Sequence, residues 1–154
     1  MLSEVARRSV LVLGRFTETR KPVLDLIRRE LSTAPHHYVP ILFDFDRPKD
    51  RTMIESVLRF AAVSRFVIAD LSDPKWVLAE LQQVVPAFRS LPVVPIIESS
   101  QNEKEVIAHF EGYASVDHVV RYRDQSHLRS IFTPTIIRRA ETMYDALKPR
   151  TLIY

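Results

Sequence analysis

Residues 64–81 have the sequence SRFVIADLSDPKWVLAEL, which predicts a strand, a tight loop and a helix. The apolar run from Phe66 to Leu71 is rich in β-branched residues, as is typical of a strand covered on both faces of a parallel sheet. Asp73 is a favourable N-cap, and Pro74 suits the first helical turn, where its missing N–H would have no partner. We therefore expect a helix that begins at the carboxyl edge of the sheet, where open α/β sheets bind their ligands.

The alternation of strands and helices continues on both sides of this stretch. Four further strands are predicted at residues 9–14, 38–45, 91–98 and 117–122. Helices are predicted at 19–31, 52–64 and 103–110, with one or two more over 125–147, broken at Pro134. Pro40 suits an edge strand. This order predicts an α/β fold, a flavodoxin-like three-layer sandwich whose five parallel strands have the order 2-1-3-4-5.

The composition is that of one globular domain. The chain has 154 residues, of which 46% are hydrophobic and 27% charged, enough for a substantial core. We expect a single domain over 1–154, with its core at about 8–147 and a tail or link at 148–154. The net charge of +3 is spread along the chain, so nucleic acid is not an expected partner. No signal peptide or long apolar run is evident, and we expect a cytoplasmic location without a membrane partner.

Several common catalytic and binding motifs are absent from the sequence. It has no G-x-G-x-x-G after a strand, no G-x-x-x-x-G-K-[ST] and no G-x-S-x-G, which excludes a dinucleotide fingerprint, a P-loop and a serine nucleophile elbow. It has no cysteine, and its five histidines lack the spacing of metal ligands. We therefore expect neither a metal site nor a bound cofactor.

Polar and aromatic side chains collect instead where the predicted strands end. The residues that end or follow the first three strands include Arg15, Phe16, Asp44 and Asp70. Trp76 and Glu80 are four residues apart and share one face of the next helix. Each of these residues also has an ordinary structural interpretation, which for Glu80 is a solvated carboxylate opposite the apolar stripe of its helix. Because parallel strands end at the same edge, we expect the group to surround one mouth of the sheet.

Three stretches of the chain resemble the Toll/interleukin-1 receptor (TIR) domain family, and in particular its bacterial NAD-hydrolysing branch. They are SVLVLGR at the first strand, ILFDFDRPKDR leading into a charged loop, and S-x-x-x-W-x-x-x-E on the third helix. The resemblance covers roughly residues 8–147. Its most specific part is the family's W-x-x-x-E-L, present here from Trp76 to Leu81, in which the glutamate is catalytic in members that cleave NAD.

The resemblance implies an NAD hydrolase that acts in bacterial defence or signalling and is activated by self-association. Glu80 would be catalytic, because a carboxylate can stabilise the oxocarbenium-like centre that forms when nicotinamide leaves ribose. The expected substrate-binding residues are Arg15 or Arg47 for the diphosphate, Trp76 or Phe16 for stacking on a ring, and Asp44 or Asp70 for ribose hydroxyls. NAD would be a substrate and not a cofactor. The 46–51 loop would contribute to a homo-oligomer.

Two alternatives remain open from the sequence. The segment IADLSDP followed by the Glu80-Leu81 pair also resembles nucleoside deoxyribosyltransferase-like enzymes, which break an N-glycosidic bond as well. A TIR-type adaptor without catalysis is the other alternative. Ser9 stands where the family's first strand often begins with an acidic residue, and the 46–51 loop lacks glycine. Fold alone does not imply activity.

Overall fold

The computed structural model describes residues 7–33, 35–44, 51–72, 77–99, 110 and 112–147. One sheet contains five strands, all paired in parallel, in the order β2-β1-β3-β4-β5. The strands are β1 Ser9–Gly14, β2 Val39–Asp44, β3 Phe66–Asp70, β4 Val93–Glu98 and β5 Val120–Tyr122. The predicted flavodoxin-like order is confirmed, and Pro40 lies on the edge strand β2 as expected.

Helices connect the strands and cover the sheet. They are α1 Lys21–Ser32, α2 Arg51–Val63, α3 Val77–Ala87, α4 Gln125–Ile131 and α5 Arg138–Leu147, with a π-helical turn, Phe132–Ile137, between the last two. The predicted helix at 103–110, except Phe110, and the predicted tail at 148–154 lie outside the described residues. So do Asp73 and Pro74, the predicted start of α3.

The predicted break at Pro134 is wrong, because the chain remains helical from Gln125 to Leu147. A proline inside a regular α-helix removes one hydrogen bond and clashes with the carbonyl of the preceding turn. Here Pro134 lies in the π-helical turn, where the N–H of Arg138 reaches back to the carbonyl of Thr133, five residues earlier. The wider turn accommodates the proline without ending the helix.

Alternating side chains of the strands bury both faces of the sheet. On one face, Val10, Val12 and Ile68 pack with the apolar sides of α1, α4 and α5. On the other face, Leu11 and Val67 pack with those of α2 and α3. The domain is therefore a three-layer sandwich, and its uninterrupted apolar strands are explained by burial on both sides.

Gly14 ends β1 at a point where helix α1 approaches the sheet very closely. A Cβ atom at this position would lie 2.6 Å from Cδ2 of Leu24. The backbone at Gly14 is not in the left-handed region, so the close approach of the Leu24 side chain, and not turn geometry, favours glycine here. A larger residue at position 14 would require the Leu24 side chain to move.

A cluster of polar side chains fastens helix α5 to the amino edge of the sheet. The Arg65 guanidinium donates hydrogen bonds of 2.6–3.1 Å to both carboxylate oxygens of Glu141, and the Tyr38 hydroxyl donates one of 2.5 Å. Burial alone would raise the pKa of Glu141, but the hydrogen bonds from Arg65 and Tyr38 outweigh it and lower that pKa. Glu141 is therefore held in its charged form in the folded protein.

We expect the Glu141 cluster to make stability depend on acidic pH. Because folding lowers the pKa of Glu141 from its ordinary 4.5, the contribution is complete above 4.5 and disappears as pH falls through the folded pKa. Glu141→Gln should therefore lower the free energy of unfolding at neutral pH, by an amount that shrinks on acidification. Urea unfolding over this range is the measurement, with Asp145→Asn on the exposed side of α5 as control. A deficit independent of pH would contradict the prediction.

Candidate functional site

The carboxyl edge of the sheet brings together five polar side chains from distant parts of the chain. The carboxyl-edge cluster consists of Arg20, Asp70, Ser72, Glu98 and Tyr122. Asp70, Glu98 and Tyr122 are the last residues of their strands, and Ser72 and Arg20 lie in the connections that follow β3 and β1. Because all five strands run in parallel, these connections emerge side by side.

Arg20 is the centre of the cluster. Its Nε and Nη2 donate to Oδ2 of Asp70 at 3.1 and 2.9 Å, and its Nη1 donates to Oε2 of Glu98 at 2.7 Å. Nη2 also donates to the hydroxyl of Tyr122. The side chains of Arg20 and Asp70 are only 9% and 1% exposed. Burial alone would lower the pKa of Arg20, but Asp70, Tyr122 and Glu98 outweigh it and raise the pKa.

Ser72 and Tyr122 complete the network between β3, β4 and β5. The Ser72 N–H donates to Oδ1 of Asp70 at 3.2 Å, and the Glu98 N–H donates to Oγ of Ser72 at 2.9 Å. That Oγ lies 3.3 Å from the hydroxyl of Tyr122. Burial, together with the charge of Asp70, raises the pKa of Tyr122 to about 12, so the phenol is neutral at physiological pH. The cluster thus fixes the positions of the strand ends relative to one another.

The sequence patterns do not predict Arg20, Glu98 or Tyr122 as members of this site. A usable signal existed for two of them, since Glu98 and Tyr122 are polar residues that end apolar strands. Arg20 precedes α1 and carries no local signal. Its role depends on partners 50, 78 and 102 residues away along the chain.

The structure places the predicted substrate-binding residues as follows. Asp70 belongs to the carboxyl-edge cluster, where Arg20 and Ser72 engage its two oxygens. Arg15 follows β1 and is half-buried, and Phe16 packs against the core on the α1 face of the sheet. The backbone of Asp44 ends β2 at the same edge. The side chain of Asp44 and the whole of Arg47 and Trp76 lie outside the described residues.

Glu80, the predicted catalytic residue, lies in the first turn of α3 and is 0% exposed. The interpretation as a solvated carboxylate is therefore wrong. Because α3 follows β3, its first turn begins at the carboxyl edge, and a carboxylate there also interacts favourably with the helix dipole. Glu80 shares the buried side of α3 with Val77, Leu81 and Val84, which belong to the apolar core. A charge in such surroundings acts through a low local dielectric.

Among the described residues, the structure shows neither a metal-binding group nor a membrane-spanning helix. Within those ranges, no group of three or more histidine, aspartate or glutamate side chains is arranged to hold a metal ion. None of the helices in the described part of the chain combines the length and apolar character needed to cross a bilayer.

Comparisons with known proteins find similarity in fold among solved structures and none in sequence. No protein-family model matches the chain, and no curated protein matches it. Among solved structures, the chain is similar to the TIR domains in the structure of the activated Roq1 resistosome directly recognizing the pathogen effector XopQ. The two are 15% identical, the match covers 93% of this chain and 85% of that one, and the TM-score is 0.47. A similarity of this degree does not establish membership of a family.

Proposed function

We propose that the chain is a TIR-like domain that hydrolyses the nicotinamide–ribose bond of NAD, with Glu80 as the essential carboxylate. The observation that carries the proposal is the position of Glu80, a fully buried carboxylate in the first turn of the helix that follows β3. It lies on the W-x-x-x-E-L pattern from Trp76 to Leu81. The proposed setting is bacterial defence or signalling.

The chemistry of the bond suits a single carboxylate. Nicotinamide leaves as a neutral molecule from a pyridinium, taking the electron pair of the glycosidic bond, so no acid is needed on the leaving group. The positive charge moves to the ribose, where a carboxylate stabilises it or captures it covalently. Water then adds at the same carbon and releases a proton, which gives ADP-ribose. In water-excluded surroundings one such charge acts more strongly than in bulk solvent.

The burial of Glu80 has a consequence for how activity is controlled. At 0% exposure the carboxylate cannot touch a substrate, so catalysis requires a rearrangement that opens a path to it. We propose that self-association through the charged 46–51 loop favours the arrangement of the site that is competent for catalysis. A neighbouring subunit that binds only the competent arrangement shifts the population toward it by its differential affinity.

Specific activity should therefore rise with protein concentration. The experiment measures nicotinamide release from NAD over about a hundredfold range of concentration, with light scattering to follow assembly. Arg47→Glu should depress specific activity most at high concentration, while leaving the melting temperature of dilute protein nearly unchanged. A specific activity that stays constant while the protein remains monomeric would overturn the assembly step.

A second candidate function is that of a non-catalytic TIR-type interaction domain. The burial of Glu80 also favours a non-catalytic domain, because a buried carboxylate is compatible with a purely structural role. The same experiment separates the two candidates. Assembly without nicotinamide release at any concentration would favour the interaction domain, whereas release that depends on Glu80 would favour the enzyme.

A further inference from the structure

A polar cleft lies well away from the carboxyl-edge cluster. It is an open depression of about 420 Å³ between the segment that precedes β5 and the helical residues after α4. Its polar lining comes from Asp117, Thr135, Arg138, Arg139 and Thr142. The N–H of Asp117 donates to the carbonyl of Val93, the first residue of β4, which places the cleft at the amino edge of the sheet. Its volume is in the range of small-molecule sites.

The two arginines of the cleft have unused hydrogen-bonding capacity. The closest approach of Arg139 to an acid is 3.6 Å, between its Nη1 and Oδ2 of Asp117, longer than a charge-assisted hydrogen bond. Within the described part of the chain, neither Arg138 nor Arg139 donates a side-chain hydrogen bond. Arg138 is exposed and Arg139 is 45% exposed, whereas Asp117 is 17% exposed. The charges lining the cleft therefore sum to an excess of one positive charge.

The π-helical turn contributes Thr135 to the same wall and leads directly into the two arginines. π-Helical turns are rare in proteins, and those that occur are often found at functional sites. Guanidinium groups bind planar or tetrahedral oxyanions with several parallel hydrogen bonds, and threonine hydroxyls can donate to the same oxygens. The donors that line the cleft match a phosphate group better than an uncharged ligand.

We propose that this cleft binds a phosphate group, held by Arg138 and Arg139 with help from the hydroxyls of Thr135 and Thr142. Asp117 competes with the phosphate for Arg139, because its carboxylate is the anion nearest to that guanidinium. The site is independent of NAD cleavage, since it lies at the opposite edge of the sheet from Glu80.

Titration of the full chain with inorganic pyrophosphate at constant ionic strength tests the proposal. The double variant Arg138→Gln/Arg139→Gln should bind about tenfold more weakly or worse, because it removes two charged donors from surface positions that do not support the core. Arg28→Gln/Arg29→Gln is the matched control, since it removes an adjacent, exposed arginine pair from α1 and should keep wild-type affinity. Asp117→Asn should bind more tightly, because it removes the competing charge and keeps the oxygen that accepts from the His118 N–H.

Each outcome supports or overturns the site. If both double arginine variants lost affinity for pyrophosphate equally, the binding would be general charge attraction and the proposed site would be overturned. Weaker binding by Asp117→Asn, or no saturable binding by the wild type, would also overturn the site. A short single-stranded oligonucleotide forms the second arm of the titration. Tighter binding of the oligonucleotide than of pyrophosphate, with the same dependence on Arg138 and Arg139, would assign the phosphate to a nucleic acid. Binding of pyrophosphate alone would assign it to a small molecule.

Discussion

Replacing Arg20 with methionine should lower the free energy of unfolding by about 3–5 kcal/mol, because it removes one member of a buried ion pair and leaves the other. Asp70 is 1% exposed and relies on two guanidinium nitrogens at 2.9 and 3.1 Å. Methionine fills much of the volume of arginine but donates no hydrogen bond. Chemical denaturation measures the effect, and the slope of the transition shows whether the unfolding remains two-state.

Two further variants show that the loss arises from the stranded charge. Arg20→Met/Asp70→Asn should recover part of the stability, since the neutral amide has no charge to desolvate and keeps an oxygen for the Ser72 N–H. Arg28→Met provides the control, because its pair with Asp25 is at the surface and should contribute less than about 1 kcal/mol. A loss of under about 1 kcal/mol for Arg20→Met would contradict the central role of Arg20.

Glu80→Gln should reduce the rate of NAD cleavage by about a hundredfold or more, if the proposed function is correct. Glutamine keeps the size of the side chain and removes the charge that would face the developing cation. Because the change acts mainly in the transition state, kcat should fall while KM changes little. Nicotinamide release under single-turnover conditions is the direct measurement.

The folding of the Glu80 variant must be measured in parallel, because Glu80 is fully buried. Its unfolding transition should remain cooperative and lie above the assay temperature, because glutamine keeps the volume of the side chain it replaces. Glu55→Gln makes the same chemical change at an exposed position of α2 and should retain full activity. Retention of more than about a tenth of wild-type turnover by Glu80→Gln, equivalent to under ~1.4 kcal/mol, would remove Glu80 from the mechanism.

The architecture could be predicted from the sequence because its signals are local. In the strands at 9–14 and 66–71, apolar residues recur at a different spacing from those of the helices around them. Pro40 marks an edge strand without reference to any distant residue. The handedness of the crossovers then leaves few possible sheet orders. The observed order β2-β1-β3-β4-β5 follows from these rules together. The approximate location of a site at the carboxyl edge follows from the same reasoning.

The tertiary structure alone decided which side chains meet at that edge and how deeply they are buried. Arg20 finds Asp70, Glu98 and Tyr122 at separations of 50, 78 and 102 residues, and no local pattern encodes such contacts. Glu80 occupies a helix position compatible with either solvent or core, and the packing of α3 decided for the core. From the sequence alone, Pro134 predicts a helix break. The π-helical turn that accommodates the proline depends on packing against the sheet, which no local pattern shows. Periodicity and turn chemistry specify elements, whereas burial and long-range pairing depend on the assembled fold.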